Sequence, residues 1–225
     1  MSRNIIVTGA AGALGSAVVE KFKREGYYVI GLLRPDSGES AEEADDTYEV
    51  DVTNSAAVLD FVKECQMQYG EIDAIAMIVG GFAMGSIEET KMEDLNKMFT
   101  LNFFSAFNLV QSFLPVFKKQ NKGTFLFVGA RPALQLADAT SSVAYALSKK
   151  LVISLAEILA EEIKGTEIRS HIFVPSIIDT KANRDSMPDS DFSKWVNPAD
   201  IAEAMHYAVN TPALRNMNFK LFGGV

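Results

Sequence analysis

The chain has 225 residues, 48% of them hydrophobic and 22% charged, which is long and apolar enough for one sizeable buried core and excludes a disordered or collagen-like chain. A net charge of −8 without a basic block disfavours nucleic acid as a partner, because phosphates would be repelled at long range. A single Cys rules out an internal disulfide and a Cys-rich metal site, and points to a reducing compartment.

Taken in chain order, short β-branched runs alternate with helical stretches. Ile5–Thr8 reads as a strand and Leu14–Glu25 as an amphipathic helix stopped by Gly26. Tyr28–Leu33 is the next strand, and residues 34–46 form a polar, acidic loop. Tyr48–Val50, Ser55–Tyr69 and Ala74–Val79 read as strand, helix and strand. Met92–Lys119 reads as one long helix, disturbed near Pro115. Thr124–Val128, Val143–Ile163 and Ile168–Val174 follow as strand, helix and strand. Residues 176–197 read as irregular, then a helix runs from Pro198 to about Asn210, and Phe219–Phe222 is the last strand. This alternation predicts an α/β fold: a Rossmann-type, doubly wound, mostly parallel sheet with helices on both faces. With no linker or repeat, residues 1–225 are expected to form one domain. No run is long and apolar enough to span a membrane, and Met1–Asn4 leads straight into Ile5 without a signal-like apolar region, so a cytoplasmic protein is expected.

Thr8-Gly9-Ala10-Ala11-Gly12-Ala13-Leu14-Gly15 lies between the first strand and the first helix. Glycines there let backbone approach a pyrophosphate, and the helix N-terminus offers free N–H groups. Dinucleotide binding through Gly9, Ala11, Gly12, Ala13, Leu14 and Gly15 is therefore expected. An NAD enzyme would carry a carboxylate at the end of the second strand; here Leu33 stands there, followed by Arg34 and Pro35. Arg34 reads as a fork for a 2′-phosphate or as a solvated loop side chain, with Asp36 close by. NADP(H) is the expected cofactor. Asp51 and Val52 reach toward the adenine in one reading and are a plain loop in the other. Gly80 and Gly81 either pass close to the cofactor or make a simple turn.

Tyr145 and Lys149 are four residues apart, on one face of a predicted helix. An ammonium beside the phenol is expected to favour the phenolate and draw Tyr145 toward an acid/base range. His171 and His206 have no ligand-like spacing, so no metal is expected.

The glycine turn, Asp51, Asn102, the Tyr145/Lys149 pair and Pro175 to Thr180 together resemble the short-chain dehydrogenase/reductase family over essentially the whole chain. That resemblance implies a seven-stranded sheet, Tyr145 as proton donor and Lys149 on the nicotinamide ribose. It also implies Asn102 holding a water in the proton path, although by itself that residue equally suits bonding to the helix backbone, and Pro175 and Thr180 beside the cofactor. The turn departs from the family's usual spacing, with Ala13 in place of a glycine. The usual catalytic Ser is replaced by Ala130, and Ser141 or Ser142 either substitutes for it or serves the helix N-terminus.

These departures resemble the dihydropteridine reductase branch, as do Ile78–Phe82, Gly129–Leu134 and the run from Asp179 to Trp195. The expected substrate is then a small conjugated molecule such as a quinonoid dihydropteridine. Phe82, Ala130, Met187 and Trp195 are the expected contacts, although Phe192 and Trp195 also suit packing of a lid onto the body. A general carbonyl or 3-oxoacyl carrier-protein reductase and a non-catalytic NADP-binding sensor are the competing readings. Phenylalanines spread around Met92–Lys119 predict a second buried face, hence a homodimer or homotetramer through that helix and Val143–Ile163.

Overall fold

The computed structural model describes residues 3–224; Met1, Ser2 (where the N-terminal run was read for a leader) and Val225 lie outside them. Seven strands form one sheet: β1 (Asn4–Thr8), β2 (Tyr28–Leu33), β3 (Asp46–Glu49), β4 (Ala74–Met77), β5 (Gly123–Val128), β6 (Ile168–Pro175) and β7 (Asn218–Leu221). Their spatial order is β3-β2-β1-β4-β5-β6-β7, and every pairing is parallel. The order reverses between β1 and β4, and in such sheets ligands bind outside the carboxyl ends of the strands at that point.

The helices are α1 (Ala13–Arg24), α2 (Ser55–Tyr69), α3 (Met92–Met98), α4 (Ser105–Gln120), α5 (Leu136–Ala139), α6 (Val143–Glu162), α7 (Lys181–Ser186) and α8 (Pro198–Asn210). Alternation along β1 shows how both faces are covered. Ile5 and Val7 pack with Val18, Phe22, Ile201 and Met205 of α1 and α8. Ile6 joins Phe113, Phe117 and Val152 of α4 and α6 on the opposite face. Each strand residue thus finds an apolar layer, which is why the strands read as continuous hydrophobic runs. Among the described residues, no helix is long and apolar enough to cross a membrane.

The structure corrects three details. Pro115 lies inside an unbroken α4, and the disturbance sits earlier, in a π-helical stretch over Phe99–Phe104. There the Ser105 hydroxyl donates to the Leu101 carbonyl at 2.6 Å, satisfying a group displaced from the normal helical register. Strand β4 ends at Met77 rather than Val79, because Ile78 and Val79 give their N–H groups to the Thr8 hydroxyl at 2.9 and 3.1 Å. The stretch read as irregular contains α7 and a single tight turn at Phe192–Lys194.

Candidate functional site

The glycine turn is built by two steric demands. Gly9 has φ of +62°, in the left-handed region that favours glycine. Gly15 lies so close to the Gly9 carbonyl that a Cβ would overlap it. Gly12 sits at the helix N-cap and has no side chain to occupy the first N–H groups of α1. Those donors, at Ala13 and Leu14, face the carboxyl edge of the sheet and suit an anionic group. The Thr8 hydroxyl, fully buried, anchors the start of the loop after β4 and so fixes the gap between β1 and β4.

At the end of β2, Leu33 is buried, while Arg34 is 75% exposed and its guanidinium lies 3.6 Å from the Glu39 carboxylate. Asp51 spends one carboxylate oxygen on the Thr53 N–H and hydroxyl, at 2.9 and 2.6 Å. Val52 is buried, and its carbonyl accepts from Asn108 at 3.1 Å.

Gly80 and Gly81 follow β4, and neither has a positive φ. Their smallness serves packing against the π-helical stretch. A Cβ on Gly80 would lie 2.5 Å from the Asn102 side-chain oxygen, and one on Gly81 would lie 3.0 Å from Leu101. Asn102 is buried and uses both its amide hydrogens: it accepts from Gly81 N–H at 2.9 Å and donates to Gly81 O at 3.1 Å and Ser148 Oγ at 2.9 Å. Ser148 in turn donates to the Tyr145 carbonyl at 2.7 Å. The Asn102 side chain therefore ties three elements together and keeps one lone pair of its oxygen unused. Thr8 and Ser148 are the residues that sequence reasoning passed over. Their only signals were positions beside Gly9 and one turn after Tyr145.

Tyr145 and Lys149 share the inner face of α6 as expected. The Lys149 ammonium is buried and donates to the Val128 carbonyl at 2.9 Å; desolvation pushes its pKa down to about 8. Tyr145 shows the opposite of the expected shift: burial pushes it up to about 12. Lys149 is turned to the Val128 carbonyl, so desolvation governs the phenol. Among the described residues the Tyr145 hydroxyl has no hydrogen-bond partner, and its ring lies edge-on to Phe82 at 4.9 Å.

Phe82 is 61% exposed, at the mouth beside Tyr145. Gly85 joins this loop to α6, accepting from Val143 N–H at 3.0 Å and donating to Ser141 O at 2.8 Å. Ala130 is buried at the end of β5 and offers no hydroxyl. Ser142 occupies the α6 N-cap, but its hydroxyl caps no helix N–H, so the helix-terminal reading is not realised there.

Pro175 closes β6, and Thr180 caps α7 by accepting from Asn183 N–H at 3.2 Å. Met187 ends α7, half-buried. Trp195 is buried beside Phe192, with ring centroids 4.8 Å apart, so in this arrangement it packs the loop and presents no open ring face. His171 is buried in β6, its Nδ1 accepting from Met217 N–H at 3.3 Å, and burial lowers its pKa to about 4.

A doubly wound parallel sheet with a glycine turn after β1 and a Tyr–Lys pair on a facing helix defines a class of α/β oxidoreductase folds. The chain belongs to the short chain dehydrogenase family, whose model matches residues 3–191. An uncharacterised oxidoreductase of Staphylococcus saprophyticus is 27% identical over 222 residues, covering 95% of this chain and 93% of that protein. One from Staphylococcus aureus is 25% identical over 219 residues, with the same coverage. Among solved structures, the ligand-free aldohexose dehydrogenase of Thermoplasma acidophilum superposes with a TM-score of 0.87 at 23% identity, covering 99% of this chain and 93% of that one. ElxO with NADP bound superposes with a TM-score of 0.89 at 20% identity, covering 100% and 98%. These likenesses show the shared fold.

Proposed function

We propose that the protein is an NADPH-dependent reductase of a small conjugated molecule, of the quinonoid dihydropteridine kind, in the dihydropteridine reductase-like branch of its family. The observation that carries this reading is the unpartnered Tyr145 hydroxyl beside an apolar ring, Phe82, with buried Ala130 offering no second donor. One donor suits a flat, electron-poor ring better than a plain ketone, whose developing oxyanion gains from a second hydrogen bond worth roughly 10²–10³ in rate.

The residues present fit the dinucleotide. The open N–H groups of Ala13 and Leu14 would receive the pyrophosphate, with Gly9 and Gly15 keeping the turn tight. Arg34 would leave Glu39 for the 2′-phosphate. The second Asp51 carboxylate oxygen and the Val52 backbone would meet the adenine. Lys149 would hold the nicotinamide ribose, and Thr180 and Pro175 would border the ring. Bound NADPH supplies the hydride. Tyr145 delivers the proton to the substrate, and its high pKa in the free protein keeps that proton in place until then. Asn102 and Ser148 position the helix that carries Tyr145.

The exposed Phe104 of the π-helical stretch, Phe107 of α4 and Leu147, Leu151 and Ile158 of α6 support pairing of two copies through these helices. Turnover with NADPH of a panel containing quinonoid dihydropterin, a quinone and acetoacetyl thioester tests the substrate reading. The dihydropterin or quinone should be reduced fastest. Preference for the thioester would overturn the reading in favour of a carbonyl reductase, and NADPH binding without any turnover would favour a sensor.

A further inference from the structure

The turn that leaves β5 carries an ion pair that uses little of what it offers. Ala130 is extended, Arg131 and Pro132 open a single tight turn, and the Arg131 carbonyl accepts from the N–H groups of Leu134 and Gln135, both at 2.9 Å. Leu134 packs against the core, so the far side of the turn is pinned. Asp138, on α5, returns to the turn: its carboxylate takes one bond from Arg131 Nε at 2.7 Å. An Arg and a carboxylate often meet through two parallel bonds, and Arg184 meets Asp179 that way, at 2.6 and 2.7 Å. Arg131 makes only one. Among the described residues, its Nη1 and Nη2 have no acceptor, and the second Asp138 oxygen has no donor.

The Arg131 and Asp138 side chains are only 19% and 33% exposed, yet their free atoms remain open to solvent. The pair belongs to the carboxyl edge of the sheet. Arg131 is three residues beyond Val128, whose carbonyl holds Lys149, and α5 leads directly into α6, the helix of Tyr145. Ser142 N–H donates to the Ala139 carbonyl at 3.0 Å, and Ser141 and Val143 bond to Gly85, so this turn is stitched to the loop of Phe82. Because cation and carboxylate neutralise one another, the pair does not call for a full anion. It presents N–H donors next to a carboxylate acceptor, which is the complement of a ring carbonyl beside a ring N–H. A plain ketone or a quinone has the carbonyl without that N–H.

We propose that Arg131 and Asp138 form a recognition site for the cyclic amide edge of a heterocyclic substrate, Arg131 donating to the ring carbonyl and Asp138 accepting from the neighbouring ring N–H. This rests on the reading of the carboxyl edge as the site of a reductase for a conjugated ring, and it narrows that ring to one bearing a lactam. Two adjacent contacts of opposite sense fix the plane and the direction of the ring and leave the reacting atom to Tyr145. Arg131 and Asp138 are then specificity residues, deciding which ring is held.

Calorimetry at neutral pH with oxidised NADP present, so that no hydride passes, compares two uncharged probes. One is pterin, with the ring carbonyl and N–H. The other is its diamino counterpart, in which an amino group replaces the carbonyl and the adjacent ring nitrogen becomes an acceptor. The unaltered chain should bind pterin about tenfold more tightly, the scale of one charge-assisted hydrogen bond at a partly exposed site. Arg131→Lys retains a cation for Asp138 but has no atoms where Nη1 and Nη2 stand, and Asp138→Asn sets a donor beside the ring N–H. Each should shrink the preference to about twofold or less while NADP affinity holds. Equal or reversed affinities in the unaltered chain would overturn the site without any variant having to fold. So would a full preference kept by Arg131→Lys, which marks an ion pair that merely closes the turn, or a loss of NADP affinity along with the preference. Turnover of the panel is read separately. A chain that prefers pterin but reduces no panel substrate keeps this site and loses the reductase reading; one that reduces a quinone without preferring pterin does the opposite.

Discussion

The two ends of the sheet are built on opposite principles. At the amino ends of the strands, polar groups are mostly paired off, the buried Thr124 hydroxyl excepted. Asp46 accepts from the Tyr28 and Tyr69 hydroxyls at 2.7 and 2.6 Å, and Tyr48 and Tyr69 share a further bond at 2.8 Å. Gln120 bonds to both the N–H and the carbonyl of Ile72. Lys122 is paired with Glu71 and Asp73. At the carboxyl ends, groups are left short of partners: the Tyr145 hydroxyl has none, the Lys149 ammonium rests on one carbonyl, and Phe82 is open to solvent. The amino end is arranged for stability. The carboxyl end holds groups whose remaining bonds are for a ligand to complete.

That contrast can be broken first at Tyr145. Tyr145→Phe deletes a hydroxyl that supports nothing in the protein, so turnover of the best panel substrate should fall about 10²–10⁴-fold. NADPH affinity and the unfolding midpoint should stay close to those of the unaltered chain. A large loss of stability would show that the hydroxyl belongs with the paired end.

Lys149 sharpens the contrast through pH. Its pKa is about 8 in the fold against an ordinary 10.5, so between these values the unfolded chain binds the extra proton. Stability of the ligand-free protein should therefore rise with pH across that window, by about 2 kcal/mol from pH 8 to pH 10 relative to Lys149→Met. Denaturant melts of both proteins at several pH values measure the difference. Parallel curves would mean that the ammonium carries no burial penalty.

Asp46→Ala tests the other end. It strips the acceptor from two tyrosines, so stability should fall by about 2 kcal/mol while activity per folded molecule stays constant. Acid should weaken the same network. The two tyrosine bonds hold the Asp46 pKa below its ordinary value, so its contribution is present at neutral pH and lost as pH falls through the lowered pKa.

The smallest effect is expected at Arg34, an exposed side chain with a loose partner. Arg34→Ala should weaken NADPH binding about fivefold to twentyfold and leave NADH binding unchanged. Calorimetry with both nucleotides reads the gap, and an unaltered gap would remove Arg34 from the cofactor site.

Much of this protein is determined by local sequence. The alternation of β-branched runs with helical periodicity dictates a doubly wound sheet, because strands covered on both faces must be apolar throughout. The glycine turn is legible because Gly9 and Gly15 answer steric demands that arise within eight residues. The Tyr145/Lys149 pair is legible because helical periodicity alone puts residues four apart on one face. Other features depend on groups brought together from distant parts of the chain, and these only the tertiary structure decides. The end of β4 is set by the hydroxyl of Thr8, some seventy residues earlier. The glycines at 80 and 81 answer Asn102 and Leu101, whose position depends on a π-helical register that no periodicity announces. The direction of the Tyr145 shift follows from the half-buried setting of the phenol on α6 and from where Lys149 finds its acceptor, and desolvation is a property of the packed whole.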